Sequence, residues 1–187
     1  AVTGIYFRTT KIFDVFSRLK PSWRNELEIT DALQMMLEEN NMINFEMITD
    51  YWKDTGTPDD IIHANGEVLK NMEPYFFGIK ENGTELSGNT MIGNNSKIST
   101  SSKILGPCII GENCTIGENS IIGPNVSIGD NSKLKNCNIQ NSIVMENCVI
   151  DSNMKIRNSI LASNSSITIN TDDEKVLLLG EGTKISL

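Results

Sequence analysis

Residues 104–129 read ILGPCIIGENCTIGENSIIGPNVSIG, in which Ile104, Ile110, Ile116, Ile122 and Ile128 stand six positions apart. The column continues outward, through Ile92 and Ile98 on one side and Leu134, Ile139, Val144, Ile150, Ile156, Leu161 and Ile167 on the other. Two positions before these residues stand Thr90, Ser96, Ser102, Cys108, Cys114, Ser120, Val126, Ser132, Cys137, Ser142, Cys148, Met154, Ser159 and Ser165, nearly all small. One position earlier again the residue is Asn in twelve of fourteen cases, the exceptions being Ser101 and Pro107, so a corner recurs with the same period. Alternate residues of a strand share a face, so each small residue and its aliphatic partner point inward from one short strand. The corner needs a residue that tolerates φ > 0. Asn supplies it, with Gly93, Gly111, Gly117, Gly123 and Gly129 on the other side.

Six residues thus make one face and one corner, and three faces close a coil of about eighteen residues that stacks on the next at roughly 4.8 Å. The pattern resembles the left-handed parallel β-helix of hexapeptide-repeat proteins and covers four to five coils. The step falls to five from Leu134 to Ile139, from Ile139 to Val144 and from Ile156 to Leu161, and the Asn and small positions shift with it. Shortened coils are expected there, not a broken repeat.

All four cysteines, Cys108, Cys114, Cys137 and Cys148, occupy the small inward position. Cys114 and Cys148 share a face but lie two coils apart, about 9.6 Å, beyond disulfide reach. They read as buried free thiols used as small apolar residues, with no nearby His or close Cys pair to complete a zinc site. The formal net charge is −8, and no Lys or Arg run alternates with aromatics, which argues against nucleic acid or an anionic membrane as partner. No stretch approaches the roughly eighteen apolar residues of a membrane span and no apolar leader opens the sequence, so a cytoplasmic location is expected.

Residues 1–72 follow a different rule. Val2 to Phe7 is an apolar run read as a strand, and Lys11 to Leu19 carries Ile12, Phe13, Phe16 and Leu19 at helical spacing. Ile29, Leu33, Met36 and Leu37 mark a second helix that stops at Asn40 and Asn41. Ile43 to Ile48 alternates as a strand, and Pro58 opens a third helix to about Asn71 with Thr57 as cap. Two strands and three helices have more apolar face than they can cover among themselves, so this portion is expected to be part of a larger α/β domain. Residues 73–89, with Pro74, Gly78, Gly83 and Gly88, read as a linker, in which Tyr75, Phe76 and Phe77 would plug the open end of a β-helix spanning 90–187. Val176 to Leu179 would be a further strand or cap after the polar loop 171–175.

Three stretches, AVTGIYF (1–7), KPSWRNELEITDA (20–32) and YWKDTGTPDDIIHAN (51–65), with their spacing, resemble the later part of the catalytic domain of sugar-1-phosphate nucleotidyltransferases. With the mixed five- and six-residue repeat and the ending VLLLGEGTKISL (176–187), the resemblance is to the long form of the glucose-1-phosphate thymidylyltransferases. It implies an α+β chain in two parts, a partial α/β nucleotidyltransferase domain followed by a left-handed β-helix. The implied reaction joins a sugar 1-phosphate, glucose-1-phosphate, to dTTP with release of pyrophosphate, a magnesium ion bridging the phosphates; base and sugar are not distinguished by the motifs present. Asp54 matches a metal-binding aspartate of that family and Arg24 the arginine on the sugar phosphate. Val2, Tyr6 and Trp52 match the sugar pocket, and Asn25 stands where the family often has Gly. The family's glycine-rich loop, first metal aspartate, and sugar-side glutamate and lysine would all precede Ala1, which implies a chain inactive alone.

Each residue has a plainer reading from the sequence: Asp54 capping the turn before Gly56, Arg24 on the surface, Tyr6 and Trp52 in packing, and Glu26, Glu28 and Asp31 serving a helix entrance. Two rival functions stand beside transfer of a nucleotidyl group. An acyltransferase of the hexapeptide class would place a histidine base at a coil corner, but the one histidine, His63, falls outside the repeat. Alternatively the β-helix is an oligomerisation module without chemistry, homo-oligomers being expected in either case.

Overall fold

The structure, a computed structural model, describes residues 4–169 and 174–186, with side chains omitted at Ile169 and Ser186. Val2 and most of the loop 171–175 lie outside the described residues. The chain divides into two compact units, residues 1–52 and 53–187.

In the second unit the period-six pattern becomes three parallel sheets wound by one continuous chain. Face one carries seven strands, beginning Tyr75–Phe76, Thr90–Ile92, Cys108–Ile110, Val126–Ile128 and Ser142–Val144; face two has seven and face three six. Coil length follows the sequence step by step. Cys108 is in register with Val126, eighteen residues on. Val126 is in register with Ser142, sixteen on, because two five-residue steps fall between them. Asn138 is in register with Lys155, seventeen on.

The corners behave as their asparagines require. Ten of the twelve corner Asn are left-handed, from φ 45° at Asn141 to 63° at Asn164, and Ser101 joins them at 61°. The flanking glycines mostly have another cause. Of the five, only Gly123 has positive φ; a Cβ at Gly93 would stand 2.6 Å from the Gly111 carbonyl oxygen, and one at Gly129 2.6 Å from the Glu146 nitrogen. Close stacking of coils, not backbone handedness, excludes a side chain there.

Inside, Ile98, Ile104, Ile110, Ile116, Ile122, Ile139 and Ile156 are fully buried. The small residues also satisfy corner backbone. Ser96 Oγ donates to the Gly111 carbonyl (2.6 Å) and accepts from the Cys114 N–H (2.9 Å). One coil on, Cys114 Sγ reaches the Gly129 carbonyl (3.2 Å); Ser132 and Cys148 repeat the pair. All four thiols are free and buried.

Residues 75–87, expected as linker, form the first coil: Tyr75–Phe76, Ile79–Lys80 and Glu85–Ser87 pair in parallel with the next rung. The periodic signal is faint because Phe76, Lys80 and Leu86 occupy the positions of Ile92, Ile98 and Ile104. Lys80 is tolerated because this rung is the end of the stack and its side chain stays exposed. Tyr75 stacks on Phe77, ring centroids 5.2 Å apart, and Phe76 closes the end only in part.

The first unit holds two helices, α1 (Lys11–Phe16) and α2 (Ile29–Glu38), around a small core of Ile12, Val15, Ala32 and Met36. Phe13, expected inward, is largely exposed; Val15 takes its place. The strands expected at 2–7 and 43–48 do not form within the described residues. A strand exists only against a neighbour, and none is supplied here, so Phe7 and Phe45 are left 97% and 84% exposed.

Candidate functional site

Arg24 sits on a tight turn that its own neighbours build. The Ser22 N–H donates to the Glu26 carbonyl (2.8 Å), the Asn25 N–H to the Ser22 carbonyl (2.9 Å), and Asn25 is left-handed at φ 60°. That conformation favours Gly and admits Asn, so Asn25 can stand in for the glycine of the resembling family. Arg24 then donates through Nε (3.1 Å) and Nη2 (2.6 Å) to one oxygen of Glu28, and the Ser22 hydroxyl donates to the same oxygen (3.0 Å). Glu28 opens α2 but makes no side-chain cap; its carboxylate is turned to Arg24, which corrects the helix-entrance reading. The Arg24 hydrogen bonds, then that of Ser22, hold the Glu28 carboxyl below its ordinary pKa. About half of the Arg24 side chain remains exposed, so the guanidinium is oriented yet accessible to an anion.

Tyr6 is half-buried, with the Arg8 guanidinium 4.4 Å from its ring centroid, and Trp52 is 46% exposed. Arg24, Tyr6 and Trp52 fall in the first unit and Asp54 in the second.

Asp54 precedes α3 (Pro58–Lys70), whose start matches the sequence reading. Thr57 is the N-cap: its Oγ1 accepts from the Asp60 N–H (3.2 Å) and donates to Asp60 Oδ2 (2.7 Å), while Lys53 Nζ pairs with Asp60 Oδ1 (2.7 Å). Lys53 foremost, then Thr57, holds the Asp60 carboxyl below its ordinary pKa. Asp60 is thereby committed to the cap. Asp54 is exposed beside Gly56, where a Cβ would lie 3.8 Å from its Oδ1. Among the described residues no three His, Cys, Asp or Glu converge on a metal-sized space. One hard oxygen ligand fits magnesium nonetheless, because that ion keeps waters and takes its other ligands from substrate phosphates. His63 is exposed on α3, outside the repeat.

Sequence reading missed what α3 rests on. The helix packs on the outer side of face one, against Val126–Ile128 and Ser142–Val144, burying Ile62, Gly66 and Leu69. Ser127 Oγ donates to Asn65 Oδ1 (2.6 Å), and Asn89 Nδ2 to the Met72 carbonyl (2.6 Å). A partial signal for it was present: the outward positions of face one include Met91, Ile109, Ile143 and Ile160 beside Ser127, where faces two and three carry Lys133 and Lys103 as well as Ile121. Met91 is fully buried despite its outward position.

Residues 1–71 match the nucleotidyl transferase family model, and residues 104–186 match the model of the GMPPB C-terminal domain. The chain is thus similar to a nucleotidyl transferase domain over residues 1–71, and a left-handed parallel β-helix follows. Among curated relatives, the low-salt glycan biosynthesis nucleotidyltransferase Agl11 of Haloferax volcanii is 41% identical over 93 residues, 50% of this chain and 25% of that protein. The glucose-1-phosphate thymidylyltransferase of Streptomyces antibioticus is 38% identical over 93 residues, 50% of this chain and 26% of that one. The matched segment thus spans about a quarter of these relatives. A solved perosamine N-acetyltransferase mutant from Caulobacter crescentus, in complex with CoA and GDP-perosamine, aligns at 16% identity and TM-score 0.26 over 57% of this chain and 52% of that one, too distant to inform either fold or function. No helix among the described residues is long and apolar enough to cross a membrane.

Proposed function

We propose that this chain is the later part of a sugar-1-phosphate nucleotidyltransferase that joins glucose-1-phosphate to dTTP and releases pyrophosphate. The observation that carries the reading is the Arg24 turn. Within a segment matching the nucleotidyl transferase model, a left-handed Asn25, Ser22 and Glu28 together orient an accessible guanidinium. In this role Arg24 binds the sugar phosphate, whose oxygen attacks the α-phosphorus of the nucleotide as pyrophosphate leaves. Tyr6, Val2 and Trp52 line the sugar side. Asp54 would hold Mg2+, which when bound neutralises charge on the reacting phosphates. Phe7 and Phe45, both exposed, are side chains that further strands of the same domain would cover. The β-helix serves assembly into homo-oligomers in the cytoplasm, without chemistry of its own.

Titration of glucose-1-phosphate into the isotopically labelled chain tests the role of Arg24 by NMR. The Arg24 Nε–H and the Asn25 amide should shift, and Arg24→Lys, which keeps the charge but loses the planar fork, should abolish most of that response. Silence across residues 22–28 at high ligand would end the assignment. With glucose-1-phosphate and dTTP the chain alone should show no turnover, and robust turnover would overturn the half-site reading.

A further inference from the structure

Sequence and packing divide this chain at different places. The nucleotidyl transferase match runs through residue 71, yet the compact unit containing the β-helix begins at residue 53. Asp54 and α3 are therefore nucleotidyltransferase by sequence and β-helix by packing. We propose that the β-helix is a positioning element for the metal-binding segment, with Ser127 and Asn65 as positioning residues that act on Asp54 through α3. The inference rests on the reading of Asp54 as a magnesium ligand.

The physical chain is continuous from coil to carboxylate. Face one is stiff where α3 rests, since its inward side packs the apolar core and Val126–Ile128 and Ser142–Val144 are each paired on both sides. Burial of Ile62 and Leu69 would hold α3 against it but would leave the helix able to slide or roll. The Ser127–Asn65 hydrogen bond, at 2.6 Å and partly buried, removes that freedom because it is directional. Gly66 faces Asn125, where a Cβ would make ordinary contact at 3.7 Å from that side chain. At the far end Asn89 holds the Met72 carbonyl. Toward Asp54, Thr57 caps the helix and Lys53, its chain neighbour, bonds back to Asp60 in the first turn of α3.

A purely space-filling contact would not choose these groups. Asn65 Nδ2 is buried with no partner, a penalty that an apolar residue would avoid. The other atom of that amide fixes the helix to the coil.

Manganese, a paramagnetic stand-in for magnesium, provides the test on the chain as it exists. In the wild type, Mn2+ should selectively broaden the amide signals of Asp54, Thr55 and Gly56, and Asp54→Asn should remove the effect. Ser127→Ala should raise the half-broadening Mn2+ concentration about three-fold or more, while Ser127→Thr, which restores the hydroxyl, should stay close to wild type. A Ser127→Ala chain that melts earlier but keeps the wild-type Mn2+ midpoint overturns the proposal, since the contact is then structural only. If the wild type shows no selective broadening, the reading of Asp54 as a metal ligand fails, and the proposal falls with it.

Discussion

Arg24 and Glu28 are joined by two hydrogen bonds that end on a single carboxylate oxygen, with Ser22 donating to the same atom. Both guanidinium donors are on the helix side, so the clamp sets the direction in which the free part of Arg24 faces. Glu28→Ala should weaken glucose-1-phosphate binding about ten-fold by loosening Arg24, as measured by NMR titration, while leaving the α2 helix formed. The pH dependence has a definite sign. The Glu28 carboxyl is held below its reference of 4.5, so the clamp is intact above that value and is lost only as pH falls through the lower, folded-state pKa. The Arg24 Nε–H resonance should stay fixed near neutrality and move only in acid.

Ile116 is fully buried between coils. Ile116→Ala should destabilise the β-helix by about 2–5 kcal/mol in urea unfolding, because neighbouring rungs cannot collapse into the cavity without breaking register.

The corner residue Asn131 has φ 59°. Asn131→Ala should cost about 1–2 kcal/mol and Asn131→Gly distinctly less, since only the former puts a Cβ against the following carbonyl without a polar side chain in return. The reverse order in thermal unfolding would show that side-chain bonding, not backbone handedness, governs the corner.

Burial pushes the Cys108 and Cys137 thiols up to about 12. Both should resist iodoacetamide at pH 8 in the native chain and react on denaturation. Because the folded values exceed the reference of 9.0, their contribution is complete below about pH 9 and is lost as pH rises toward 12, so the chain should weaken in alkali. Cys114→Ser should cost less than about 1.5 kcal/mol, because serine already fills that column at Ser96 and Ser132.

The β-helix was legible because each of its residues reports a local event. Ile116 points inward, Asn113 turns the corner, and the five-residue steps near Leu134 and Val144 reappear as a coil of sixteen between Val126 and Ser142. The first coil was not, because an end rung need not obey the inward rule, and Lys80 in the place of Ile98 conceals it. Periodicity marked an apolar outer side of face one at Met91, Ile109 and Ile143 but not what covers it, since the Ser127–Asn65 contact joins residues far apart in sequence through a single hydroxyl. At the candidate site, Arg24 and Asp54 came from motif resemblance alone. The partner of Arg24 lay in view four residues on, but carboxylates at a helix start usually serve the dipole and drew that reading.

The mismatch between the sequence boundary at residue 71 and the packing boundary at residue 53 bears on how such proteins can be cut and recombined. A β-helix exchanged between relatives at residue 71 would arrive without its helix, Ser127 without Asn65 and the outer side of Val126–Ile128 and Ser142–Val144 bare to water. A junction at Lys53 carries α3 along with its sheet, so the heritable module is longer than the repeat by one helix.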